Sequence, residues 1–220
     1  MMTRRRTLKT IFFLGLALFF MTCGNAPVKE EATEAFELGT TLPGHYHNAY
    51  FDLDIYFDPT WSVQKKEQIE WMEEVGENLL LEEKDSLKTV FNASTVNTAY
   101  LLTVFKHPLE ANVDYNPNFI ALVENVRVFS DIETGVDYLF QVQKLLKQTA
   151  LDYQFEAIYE QKIGAKVFYV LEVTATYMGT EIKQSYWCTI DKGFCLSFIL
   201  SYHSEKEKEE LMQIINKIKM

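Results

Sequence analysis

From Tyr50 to Phe57 the chain alternates, with Phe51, Leu53, Ile55 and Phe57 on one face and Asp52, Asp54 and Tyr56 on the other, until Asp58-Pro59 turns it. Alternation of period two predicts a half-buried strand. The period then becomes helical from about Val63 to Glu83, where Ile69, Met72, Val75 and Leu79 recur at spacings of three and four opposite a face of Glu and Lys. Ser62 stands where a helix cap is expected. Tyr100 to Phe105 and Phe119 to Val126 read as strands, separated by a loop that holds Pro108 and Pro117. A second helix is predicted from Thr134 to about Ala150. The Thr134 hydroxyl caps it with Asp137 as the reciprocal carboxylate, and Val136, Leu139, Val142 and Leu146 point inward.

Strand-like runs then follow almost without pause: Phe155 to Lys162, Lys166 to Tyr177, Glu181 to Ile190 and Phe194 to Tyr202, with turns at Gly164, Met178-Gly179 and Asp191-Lys192-Gly193. Such short connections predict an antiparallel meander. A last helix is capped by Ser204 with Glu207 three residues on, and carries Leu211, Ile214, Ile215 and Ile218 as one apolar stripe. Strands grouped together and flanked by amphipathic helices predict an α+β fold, with a mainly antiparallel sheet covered by helices.

The N-terminus has a different character. Arg4-Arg5-Arg6-Thr7-Leu8-Lys9 is a basic stretch, and Ile11 to Met21 is an apolar run about half the length that a membrane-crossing helix needs. This is the pattern of a secretory signal over residues 1–22, and it resembles a bacterial lipoprotein signal because the run ends at Thr22-Cys23 with no Ala-x-Ala cleavage site. In such signals the cysteine is acylated and becomes the first residue after cleavage, so the resemblance makes Cys23 the lipidation site and the mature protein an exported one anchored to a bacterial membrane. Thr3 to Lys9 also resembles a twin-arginine export motif. Residues 23–44, acidic and broken by Pro27, Gly39, Pro43 and Gly44, read as a flexible tether, which leaves residues 45–220 as one domain.

Charge narrows the partners. The chain has 21 basic and 31 acidic residues, and without the signal 17 basic residues remain, a net charge of −14. A surface of that sign lacks the basic footprint that nucleic acid requires and leaves the lipid as the membrane attachment. With 16 Phe, 12 Tyr and 3 Trp the chain has ample side chains for a large core.

Three features together resemble the PsbP-like family: a strand Phe51 to Phe57 running into Pro59-Thr60-Trp61, a middle helix opening Thr134-Gly135-Val136-Asp137-Tyr138-Leu139, and long terminal hairpins closing on a capped helix. The resemblance spans Tyr50 to Lys219; the corner before Trp61 is one residue shorter than the family's Pro-x-Gly-Trp and lacks its Gly. It implies an α/β/α sandwich around a central antiparallel sheet, and a non-enzymatic accessory or binding domain.

Candidate chemistry is sparse. His45-x-His47 places two imidazoles on one face of an extended chain, half of a zinc or copper site, with Asp52 or Asp54 available as a third ligand only if the chain folds back. The expectation is no metal, no cofactor and no catalytic residue. Ser62-Val63-Gln64-Lys65 matches the Ser-x-x-Lys pattern of penicillin-interacting enzymes without its companion motifs. Cys195 and His203 are too far apart along an extended strand to act as a pair. Glu73, Glu74, Glu77, Glu82 and Glu83 form an acidic helix face. The strand aromatics Tyr153, Phe155, Tyr159, Phe168, Tyr169, Tyr177, Tyr186 and Trp187 are core residues, or line a cleft for a small apolar ligand if the sheet is incompletely covered.

A three-residue loop at Asp191-Lys192-Gly193 pairs Ile190 with Phe194. That register sets Cys188 and Cys195 on opposite sheet faces as two free thiols, whereas the alternative register pairs Cys188 with Cys195 directly but breaks up the shared apolar face of Tyr186, Cys188, Ile190, Phe194, Leu196 and Phe198. The reading as a whole is a lipid-anchored, non-catalytic envelope domain that binds or assists another envelope component, with a carrier of a small apolar ligand as the alternative.

Overall fold

The computed structural model describes residues 37–80, 97–177 and 179–220. The signal, Cys23, most of the tether, the Leu79 side chain, Glu82, Glu83 and Met178 lie outside the described residues.

The sheet is built from two antiparallel runs that meet in the middle. β4 (Ser62–Val63), β5 (Thr98–Phe105) and β6 (Asn118–Asn125) form one. β7 (Asp152–Phe155), β8 (Tyr159–Ile163), β9 (Lys166–Tyr177), β10 (Thr180–Asp191) and β11 (Phe194–Tyr202) form the other. β11 docks on β6, giving the order β4-β5-β6-β11-β10-β9-β7, with β8 also on β9. All nine residues of β11 are buried, as a central strand covered on both faces must be.

Helix α2 (Gly135–Leu146) packs Tyr138, Leu139, Val142, Leu145 and Leu146 with Ile120, Leu122, Leu171, Tyr186 and Ile199 of the sheet. Helix α3 (Glu205–Ile215) packs Leu211, Ile214, Ile215 and the following Ile218 with the other set of sheet residues, Phe168, Val170, Trp187, Phe198 and Leu200. The alternation of Leu171 and Val173 in the first cluster with Phe168 and Val170 in the second shows that the two helices cover opposite faces. Both capping boxes form as the sequence predicts, at Thr134 with Asp137 and at Ser204 with Glu207. α2 stops one turn earlier than expected, and Tyr138 and Leu145 are buried where the half-exposed Val136 was expected to point inward.

A second sheet, unanticipated, joins α3 over its face: β1 (Thr40–Leu42), β2 (His45–Asn48) and β3 (Leu53–Tyr56) in sequence order. Phe51, Leu53 and Ile55 are fully buried in the α3-side core, as the alternation predicts, but the strand begins late because Asp52 turns the chain with φ of 50°. Residues Glu37 to Gly44 are therefore part of the domain and not of the tether. Tyr46 Oη donates to Leu38 O at 2.7 Å, and Asn48 Nδ2 donates to Glu37 O at 2.9 Å. Gly39, with φ of 80°, sits so close that a Cβ there would lie 2.5 Å from His47 O. At the other terminus Lys219 bridges Asp54 through reciprocal backbone bonds of 2.9 and 3.0 Å, which closes the chain on β3.

Two further expectations are corrected. Phe155 to Lys162 is not one strand: between the pairs Phe155 with Val173 and Tyr159 with Val170, three residues face two on β9, and this bulge breaks it into β7 and β8. The hairpin after β10 has a two-residue loop in which Lys192 and Gly193 both take positive φ, 52° and 78°, so Asp191 pairs with Phe194. Cys188 then faces Ser197 and Cys195 faces Ile190. The two thiols thus share the α2 face instead of lying on opposite faces, and both are free.

Candidate functional site

Helix α1 (Lys66–Leu80) starts three residues after β4 and returns alongside β5. Of the described residues of its predicted stripe, Met72 is buried, against Phe105, and Ile69 and Val75 are half-buried around the pair with Leu109. Ser62 is not its cap: Ser62 lies in β4 and its Oγ accepts from Gln64 Nε2 at 3.1 Å, whereas Gln68 Oε1 accepts from Lys65 N at 2.8 Å at the true helix start. Incomplete coverage by α1 leaves a groove of about 560 Å³ between α1, the entering chain and β5, lined by Leu38, Thr41, Val63, Ile69, Glu73 and Tyr100. Leu38 is 56% and Val63 38% exposed, so the apolar rim is open to solvent.

The floor of the groove is polar in a specific way. Tyr100 Oη donates to the Glu73 carboxylate, and burial pushes both groups up from their ordinary values. Beside it Thr98 pairs across the strands with Glu124, a carboxyl with no exposure at all. Tyr138 Oη donates to Glu124 Oε2, while Oε1 and Thr98 Oγ1 have no hydrogen-bond partner among the described residues. Burial raises the Glu124 carboxyl well above the usual carboxylate range. Cys195 pairs across from Glu124, and both thiols reach Ser197 Oγ, Cys188 at 3.2 Å and Cys195 at 3.5 Å. Burial raises the Cys195 thiol, which keeps it protonated and a poor nucleophile.

The opposite sheet face has its own cluster, under α3, beside a cleft of about 330 Å³. Glu172 Oε1 accepts from Tyr159 Oη at 3.0 Å, Ser185 Oγ at 3.1 Å and Lys208 Nζ at 3.2 Å, and Oε2 accepts from Tyr202 Oη at 3.0 Å. Trp187 Nε1 donates to Ser185 Oγ at 2.9 Å. Both oxygens of the carboxylate are used: they tie β8, β10 and β11 to β9 and, through Lys208, α3 to the sheet, an arrangement that locks structure.

His45 and His47 do meet a carboxylate, because the hairpin from β2 to β3 folds Asp54 back between them. His45 Nε2 donates to Asp54 Oδ1 at 2.7 Å and His47 Nδ1 to the same oxygen at 3.0 Å. The hydrogen bond from His45 holds the Asp54 carboxyl below its ordinary value. Asp52 occupies the turn instead. Among the described residues no group of three His, Cys, Asp or Glu side chains is set to hold a metal ion. Cys195 and His203 do not meet: the first is buried under α2, and His203 Nδ1 donates to Glu181 O at 2.8 Å. Of the strand aromatics, Phe168, Tyr186 and Trp187 are buried in the two cores, and none of the eight lines the α1 groove.

Sequence reasoning missed Glu124 and Glu172, although each left a signal: a lone carboxylate inside an apolar strand, Ala-Leu-Val-Glu and Val-Leu-Glu-Val. The groove left none, since it depends on where α1 lies.

The fold and the groove define an α+β domain around a mainly antiparallel sheet with three described helices. No family model and no curated protein matches the chain. Its structure is similar to cyanobacterial PsbP (CyanoP) from Synechocystis sp. PCC 6803, at 11% identity and a TM-score of 0.49, over 83% of this chain and 95% of that one. It is also similar to LpqN, involved in cell envelope biogenesis of Mycobacterium tuberculosis, at 11% identity and a TM-score of 0.43, over 76% of this chain and 81% of that one. No helix among the described residues is long and apolar enough to cross a membrane.

Proposed function

We propose that this chain is an exported, lipid-anchored and non-catalytic domain of the bacterial envelope, a PsbP-like α/β/α sandwich that binds another envelope component through the groove between α1 and β5. The export signal ending at Cys23 supports the anchor, and helices on both sheet faces support the sandwich. The observation that carries the binding role is the groove's open apolar rim, Leu38 and Val63, with half-buried Ile69 in the same lining. Exposed apolar side chains gathered along a groove favour a docked partner. A volume of about 560 Å³ also suits a small apolar ligand, the second reading.

A photo-reactive residue at exposed Thr41 tests this in cells, with Glu209 on α3 as the control position. The expected result is one envelope-protein adduct from position 41 that Val63→Glu abolishes and position 209 does not give. Adducts that are the same from both positions overturn the partner reading. Co-purification of a stoichiometric lipid, lost in Val63→Glu, replaces it with the carrier.

A further inference from the structure

Strand β8 pairs with β9 alone, and among the described residues no strand lies on its other edge. Tyr159, Glu160, Gln161 and Lys162 are all exposed. Its hairpin with β9 closes at the pair Ile163 with Lys166 around a two-residue loop that opens on Gly164 at φ of 59°. The closing pair of such a loop is hydrogen-bonded, so by alternation Tyr159, Gln161 and Ile163 bond to β9, and the N–H and C=O of Glu160 and Lys162 point outward. Those outward groups can be satisfied by a further extended backbone.

The side chains say which backbone. Turning a second β8 antiparallel about Gln161 sets Glu160 opposite Lys162 of the second copy and Lys162 opposite its Glu160, both on the α2 face. The outward backbone groups of the same residues then form the hydrogen-bonded pairs. On the α3 face Tyr159 falls opposite Ile163 of the second copy. Charged residues on an edge ordinarily repel a neighbour, but opposite signs two positions apart make this edge complementary to itself in one register, and like charges meet if the copies run parallel. Neither Glu160 nor Lys162 forms an ion pair among the described residues that would compete.

We propose that β8 is a self-complementary edge through which two copies of this chain pair antiparallel about Gln161, joining their sheets across a two-fold axis. The inference needs neither the anchor nor the α1 groove, which lies at the other edge of the sheet.

Gln161→Cys in the purified full-length chain carrying Cys23→Ser tests it, since position 161 faces itself across the axis at a non-hydrogen-bonded pair, where Cβ atoms approach closely. Oxidation with copper phenanthroline should give a disulfide-linked dimer on a non-reducing gel, absent from the parent chain. Adding Lys162→Glu places like charges across both pairs and should lower the dimer yield roughly fivefold or more; adding Glu160→Lys as well restores it. These positions are exposed, and circular dichroism checks that each variant folds. No dimer from Gln161→Cys, or a yield indifferent to the charge reversals, overturns the proposal. Disulfide adducts of the Gln161→Cys variant in cells with a different protein, in place of the dimer, also overturn it.

Discussion

Glu124 is the residue through which pH should reach this fold. Its carboxyl is raised in the folded state by burial, so between about pH 4.5 and that raised value the folded chain holds a proton that the unfolded chain releases. Stability from this group is complete below the unfolded value and is lost as pH rises through the folded one. Glu124→Gln keeps the shape and removes the titration. The variant should show a flatter fall of denaturation midpoint from pH 5 to 8 than the parent, and parallel curves would show that Glu124 is already ionised in the fold. The two cysteines give a second test at this scale. With Cys23 replaced by Ser, the native protein should resist a thiol reagent at neutral pH, because Cys188 and Cys195 are both buried and Cys195 is held protonated. Denaturation without reductant should release two reactive thiols; a need for reductant would show that the adjacent pair has oxidised.

At the scale of elements, α2 is fixed at its first turn. The Thr134 box satisfies its leading N–H groups, and Gly135 lies so near the sheet that a Cβ would meet Cys188 O at 2.5 Å and Tyr169 Cδ2 at 2.9 Å. Thr134→Ala should cost about 0.5–2 kcal/mol. Gly135→Ala should cost more, because the obstacle is backbone and the helix must move off β10; equal midpoints for the two variants in urea would refute the close approach. On the other face Ile215 is 4% exposed within the α3 stripe. Ile215→Ala should cost about 2–5 kcal/mol, read as a lower urea midpoint at unchanged slope. The bulge between β7 and β8 belongs here too. It moves Tyr159 to the α3 face, onto Glu172, whereas an unbroken strand would keep it beside Phe155 on the α2 face.

For the whole molecule the decisive question is attachment. Cys23→Ser in the full-length chain should release the protein from membranes after a high-salt wash, with an unchanged circular dichroism spectrum. Retention of the variant at parental size would end the lipoprotein reading.

What the sequence determined by itself is local. Thr134 with Asp137 and Ser204 with Glu207 announce their helices because a cap and its partner lie three residues apart, and Phe51, Leu53 and Ile55 announce a buried face because alternation is written over neighbouring positions. The open edge and the groove were decided by tertiary structure. β11 is buried on both faces, so its run Phe194 to Tyr202 contains no alternation from which a register could be read; Lys192, which rarely takes positive φ, set that register by doing so. The site is further still from local signals. Leu38, Val63, Ile69 and Tyr100 meet only because the entering chain and α1 both settle against β5, and Glu124 meets Tyr138 and Cys195 only because β6 lies between β5 and β11 under α2. Contacts between residues distant in sequence follow from which surfaces bury each other, and that choice is made by the whole core at once.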